Sequence, residues 1–139
     1  MRTVVDASVA AKWYFPEAGQ ASAASLLADQ NDGRRELIAP DLIELELANV
    51  LWKKVRLREC SEENAYEVLA LWDSDRPRLV GSRWLVERAL ELGLRLDHPV
   101  YDCLYVAAAI EYEAALATAD RRLERAARAV LGEVLHIGD

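Results

Sequence analysis

Short apolar runs alternate along this chain with longer stretches of helical spacing. Thr3-Val4-Val5 is a β-branched run that ends at Asp6-Ala7-Ser8, a strand leading into a helix start. Val9 to Phe15 reads as a short helix stopped by Pro16, and Ala18 to Ala28 as an Ala-rich helix before the turn Asn31-Asp32-Gly33. Leu37-Ile38-Ala39 makes a strand ahead of Pro40. Asp41 is placed to cap a helix to about Arg58, and Ser61-Glu62-Glu63-Asn64 to open another to about Ser74. Arg78-Leu79-Val80 reads as a third strand, and Ser82 to Leu92 as a helix with Gly93 just past its end. Pro99 suits the first turn of a helix running to about Glu113. Ala115 to Thr118 is a strand, Asp120 caps a helix to Ala129, and Val134 to Ile137 is the last strand.

The strands lack the polar alternation of a half-solvated sheet. Short apolar strands between helices predict an α/β fold, a short parallel sheet flanked by helices. In such folds ligands sit beyond the carboxyl ends of the strands, so residues just after each strand are the ones to inspect. The chain has 139 residues, the length of a single domain spanning 1–139. Its longest apolar run, Cys103 to Ile110, is far too short to cross a bilayer. Cys60 and Cys103 form no CxxC motif, which points to a reducing cytoplasm. His98 and His136 are too far apart for a sequence-local zinc site.

The net charge is −7, from 24 acidic and 17 basic residues. Any nucleic-acid partner must therefore be gripped locally. Four acids stand in unusual places. Asp6 follows the first strand, with no Lys or Arg between Thr3 and Val9. Glu46 lies on a helix apolar almost all round, which should be largely buried, on a stripe with Leu42, Asn49 and Lys53. Glu44 points roughly 200° away and cannot share its site. Asp102 opens a nearly wholly apolar helix with no Lys or Arg within five positions. Asp120 follows the Ala115–Thr118 strand, beside Thr118.

Each acid alone has an ordinary explanation. Asp6 and Asp120 suit helix caps, Glu46 a polar surface stripe, and Asp102 the positive end of a helix dipole. Together they form a set of hard oxygen donors, which suits Mg²⁺ or Mn²⁺. Carboxylate-held Mg²⁺ is a device for phosphodiester hydrolysis.

The segments Val4-Val5-Asp6-Ala7-Ser8, Ala39-Pro40-Asp41-Leu42 with Glu46-Leu47-Ala48-Asn49, Tyr101-Asp102-Cys103-Leu104-Tyr105, and Ala117-Thr118-Ala119-Asp120-Arg121-Arg122-Leu123 resemble, in that order, the PIN-domain ribonucleases. More narrowly, they resemble the VapC-type toxins of toxin–antitoxin pairs. The resemblance runs from about Arg2 to Ile137. It implies a PIN-like three-layer sandwich and a metal-dependent endoribonuclease. It implies that Asp6, Glu46, Asp102 and Asp120 are catalytic ligands of Mg²⁺ or Mn²⁺, with Ser8, Asn49 and Thr118 in support. It implies an RNA substrate, a homodimer and a cognate antitoxin. The position two after Asp120, acidic in some members, is Arg122 here.

The basic residues Lys53, Lys54, Arg121 and Arg122 lie next to the Glu46 and Asp120 segments, where they can meet RNA phosphates. Trp13-Tyr14-Phe15 occupies three successive helical positions, which cannot all face one core. At least one is expected outside, as a partner-binding contact. Trp52, Trp72 and Trp84 have apolar helical spacing and read as core or dimer-interface residues. Three rivals are weaker. A phosphoacceptor receiver needs a late Lys, but the last Lys is Lys54; a haloacid-dehalogenase-type phosphatase needs an acid where Ser8 stands. A non-catalytic PIN-like interaction module should lack at least one of the acids, and all are present.

Overall fold

The computed structural model describes residues 1–138. The strands are β1 (Arg2–Val5), β2 (Glu36–Pro40), β3 (Arg78–Val80), β4 (Ala115–Thr118) and β5 (Val134–His136). They form one five-stranded sheet in the order β3-β2-β1-β4-β5. Every pairing is parallel. β1 is central, and beyond Arg2 it is buried, as is all of β4. That burial explains the near-continuous apolar strands.

The helices are α1 (Ala7–Ala11), α2 (Gln20–Asn31), α3 (Leu42–Arg56), α4 (Glu62–Asp75), α5 (Val86–Leu96), α6 (Val100–Glu111) and α7 (Arg121–Arg128). A 3₁₀ turn at Ser82–Leu85 precedes α5. The helices flank the sheet around one core that includes Val4, Ile38, Leu47, Tyr105, Leu116 and Leu123. The chain runs β1-β2-β3 to one side of β1 and then crosses to β4 on the other. The crevice at this reversal lies between the carboxyl ends of β1 and β4, just before Asp6 and Asp120.

Several local expectations are corrected. The first helix stops at Ala11, not Phe15. Tight bonds from Lys12 N to Val9 O, Trp13 N to Ala10 O and Tyr14 N to Ala11 O close it early. Pro16 also disfavours helical backbone at Phe15. The three aromatics are therefore not on one helix, and none is exposed. Trp13 donates to the Ala23 carbonyl at 2.9 Å and stacks on Trp72 with centroids 6.0 Å apart. Tyr14 donates to Asp75 at 3.0 Å, and the Phe15 ring lies under Lys54 at 4.5 Å. The expected outward contact gives way to three internal ones.

Gly93 does not end its helix. α5 continues to Leu96, and Asp97 takes the left-handed conformation that stops it, at φ 52°. Gly93 is instead a point of close approach: a Cβ there would lie 3.0 Å from the His98 carbonyl oxygen. Asp41 does not cap α3 with its side chain. It accepts from Ser82 N and Ser82 Oγ, and Ser82 Oγ in turn accepts from Leu42 N at 3.1 Å. The α3 cap thus comes from the 3₁₀ turn after β3, remote in sequence. α3 is less buried than expected, with Leu45 at 72% and Trp52 at 57% exposure. Trp72 is in the core, but Trp84 is 87% exposed.

Candidate active site

Asp6 emerges from β1 as the N-cap of α1 and is 5% exposed. Its Oδ1 accepts from Ser8 Oγ at 2.5 Å and Val9 N at 3.1 Å. Its Oδ2 accepts from Thr118 Oγ1 at 2.5 Å, across from the end of β4. Cap and site reading therefore coexist in one carboxylate. Ser8 Oγ also accepts from Ala119 N, and Thr118 Oγ1 from Asp120 N, both at 3.0 Å. These bonds fasten the ends of β1 and β4 together.

Glu46 projects from α3 and accepts a very short hydrogen bond from the Tyr105 hydroxyl. Asp102, in the first turn of α6, meets His98 Nε2 at 2.8 Å. The His98 side chain is only 5% exposed. Burial raises the Asp6 pKa against the pull of Ser8, Thr118 and Val9, and the charge of Asp102 raises it further. Burial also raises that of Glu46; the Tyr105 bond opposes this, and the charges of Asp102 and Asp6 add to it. Asp6, Glu46 and Asp102, from three remote segments, thus share one electrostatic site. Among the described residues none of the three is paired with Lys or Arg.

Asp120 stands at the border. It is exposed, and its Oδ1 caps α7 by accepting from Arg122 N and Leu123 N. Its link to the other acids runs through Thr118. Asn49 is exposed and makes no hydrogen bond to any of the acids. Glu44 turns away to accept from Trp72 Nε1 at 3.1 Å, as its place on the helix requires.

Sequence reasoning missed His98 and Tyr105. His98 lies ahead of α6, so helical spacing gives no reason to pair it with Asp102. Tyr105 reads as one more apolar residue, yet a buried tyrosine hydroxyl needs a partner, and Glu46 is that partner.

The donor set is carboxylate and hydroxyl oxygen, which fits a hard divalent cation. Among the described residues no three His, Cys, Asp or Glu side chains are gathered tightly enough to enclose an ion by themselves. Mg²⁺ does not require a closed cage, since it keeps several waters and takes one or two carboxylates. Glu46 Oε2 and Asp102 Oδ1 lie outside the Tyr105 and His98 bonds.

Two basic recesses adjoin these acids. One, of about 460 Å³, is lined by Ser8, Lys12, Glu17, Lys53, Lys54 and Ala119, among others. The other, of about 300 Å³, is lined by His98, Arg122 and Arg125 among others.

The sequence pattern of the PIN domain matches residues 3–129. The chain belongs to the PIN-domain family. This PIN domain is also 35% identical over 125 residues to ribonuclease VapC3 of Pyrobaculum aerophilum, covering 88% of this chain and 92% of that protein. Two examples among the solved structures share the fold across nearly the whole chain. One is VapC20 of Mycobacterium tuberculosis, described as a sarcin-ricin loop cleaving toxin, with a TM-score of 0.70 and 20% identity over 96% of this chain and 98% of that one. The other is VapBC2 of Rickettsia felis, bound to a DNA fragment from its promoter, with a TM-score of 0.68 and 16% identity over 100% of both chains.

Proposed function

We propose that this PIN domain is a metal-dependent endoribonuclease and the toxin of a toxin–antitoxin pair. One observation carries the reading: the charges of Asp6, Glu46 and Asp102 act on one another near the sheet's reversal point, and among the described residues none of the three has a Lys or Arg counter-ion. Clustered, part-buried carboxylates are costly unless a cation joins them. The relationship to ribonuclease VapC3 supports the choice of reaction. An interaction module without catalysis gives no reason to keep these acids together.

Asp6, Glu46 and Asp102 would hold Mg²⁺ or Mn²⁺, with Asp120 completing the set from the start of α7. The ion would lower the pKa of an attacking water and stabilise charge on the leaving oxygen. Ser8 and Thr118 fix the Asp6 carboxylate, Tyr105 fixes Glu46, and His98 fixes Asp102. Such outer contacts set the direction in which each carboxylate offers its free lone pairs. Lys53, Lys54, Arg121 and Arg122 are the proposed contacts to RNA phosphates; Asn49 is a further candidate at the open edge of the site. The VapBC2 structure from R. felis, which shares the fold, supports a cognate antitoxin as partner. Exposed Leu90, Leu94 and Tyr101 on α5 and α6 support a second copy as another. Among the described residues no helix is long and apolar enough to cross a membrane. Two unpaired cysteines, Cys60 and Cys103, favour work in the cytoplasm.

The test is cleavage of structured RNA by the purified chain, free of antitoxin. Activity is expected with Mg²⁺ or Mn²⁺ and silence with excess EDTA. Undiminished cleavage in EDTA overturns the metal-dependent reading. Tyr105→Phe probes the support of Glu46. It removes the one hydrogen bond that holds down the Glu46 pKa, so metal affinity should fall about 10-fold, on the scale of outer-shell changes. Titration calorimetry with Mn²⁺ reads this directly, and an unchanged affinity excludes Tyr105 from the role.

A further inference from the structure

Lys12 follows α1 and is only 7% exposed, unusual burial for an ammonium group. Its Nζ lies 3.3 Å from Glu17 Oε2. The other Glu17 oxygen, Oε1, lies 3.0 Å from Lys54 Nζ, and Lys54 also reaches Glu59 at 3.5 Å. One half-buried carboxylate is therefore shared between two lysines. Burial works against the charged Glu17, but the bonds and charges of Lys54 and then Lys12 outweigh it and lower its pKa. Phe15 closes the far side of Lys54.

Lys12, Glu17, Lys54 and Glu59 line the same recess of about 460 Å³, together with Lys53. Three lysines face Glu17 and Glu59, so the recess keeps an excess of positive charge inside an acidic protein. Its wall includes Ser8, which bonds Asp6, and Ala119, which bonds Ser8. The recess thus borders the Asp6 side of the proposed metal site through Ser8. Displacing Glu17 frees both lysines at once, so one phosphate can take the place of one carboxylate on two donors. The buried stem of Lys12 also fixes its ammonium in place, which lowers the ordering cost of binding an anion.

We propose that this recess is a phosphate subsite. It would take a backbone phosphate of the RNA next to the scissile one, with Lys12 and Lys54 as donors and Glu17 as the built-in competitor that the phosphate displaces. The inference rests on the RNA-cleaving reading above and names residues that reading does not need. Lys12 and Glu17 have no place in the metal site.

The experiment measures binding of a single-stranded RNA in EDTA, where cleavage is off, over a series of salt concentrations. Glu17→Gln, Lys12→Met and Lys54→Gln are compared with the unaltered chain, with thermal melting of each as a folding check. Removing the competitor should tighten binding roughly two- to fivefold, the size of an exposed charge pair. Lys54→Gln should weaken binding and lower the slope of log affinity against log salt by about 0.7, one single-strand phosphate contact. A structural ion network predicts the opposite for Glu17→Gln: a lower melting temperature and binding unchanged or weaker. That result overturns the subsite, whereas cleavage by the unaltered chain, measured alongside, keeps the nuclease reading standing. If the unaltered chain neither binds nor cleaves RNA, both readings fall together. Because Lys12→Met can disturb folding, the Glu17→Gln and Lys54→Gln pair decides the matter.

Discussion

Asp6→Asn is expected to cut RNA cleavage on the order of 10⁴-fold, the scale of removing a carboxylate from a catalytic set. The fold should survive, because Asn keeps the oxygen that accepts from Val9 N and Ser8 Oγ, and Asn caps helices as well as Asp does. Stability should also change with pH in a defined direction. The folded Asp6 pKa is raised above 3.8, chiefly by burial. Between 3.8 and that raised value the folded chain binds more protons than the unfolded chain. Metal-free stability therefore falls as pH rises through that window, and the full penalty persists above it. Asn carries no such charge. In EDTA, Asp6→Asn should gain on the unaltered chain as pH rises from about 4 to neutrality, and lose that advantage at lower pH. Denaturation at several pH values reads this gain, and a cleavage assay reads the loss. A variant that cleaves normally removes Asp6 from the site.

Gly93→Val is the second large effect, and it acts through packing. Gly93 lies inside α5, where it looks replaceable by its helical conformation alone. Its missing side chain makes room for the connection to α6. A Cβ would meet the His98 carbonyl at 3.0 Å and Val100 Cγ2 at 3.2 Å, and the His98 amide already donates to the Gly93 carbonyl at 3.1 Å. Valine adds that Cβ and two further methyl groups to a crowded place. The expected cost is about 1–3 kcal/mol, seen as a melting temperature lower by roughly 2–4 °C for each kcal/mol. The strain falls on the segment that carries His98, so the Asp102 carboxylate should lose alignment and Mn²⁺ affinity should drop as well. Gly93→Ala, smaller but still too close to the His98 oxygen, should fall between the two. Melting of Gly93→Val at the unaltered temperature would show that the connection yields freely.

The alternation of elements was legible in the chain because strands buried on both faces leave nearly unbroken apolar runs, as in Thr3-Val4-Val5 and Ala115-Leu116-Ala117. Ends were harder to read. Pro16 marks a stop for α1, but the tight turn that closes the helix at Ala11 lies in the backbone and has no side-chain signature. Gly93 signals a helix end by its type, yet here its role is close approach, which depends on where α6 returns. Asp41 has the form of a cap, but Ser82, forty-one residues on, takes the task through tertiary contact. Asp6, Glu46 and Asp102 of the candidate site stood out by being charged where charge is costly. Their supports did not. Tyr105 hides in an apolar run, and His98 reaches Asp102 across the bend between two helices. The Lys12–Glu17–Lys54 chain is likewise invisible until the turn after α1 brings Glu17 between the two lysines.

The central claim is that Asp6, Glu46 and Asp102 form one divalent-metal site. Titration of Mn²⁺ against the melting temperature tests it most directly, using the unaltered chain, Asp6→Asn and Asp102→Asn. Binding to the folded chain alone stabilises it by about 2.7 kcal/mol at a hundred times Kd, a rise of roughly 5–10 °C for a chain of this size. The unaltered chain should show that rise with millimolar Mn²⁺, and each variant should lose most of it. A flat titration, or an equal rise in all three proteins, would contradict the claim.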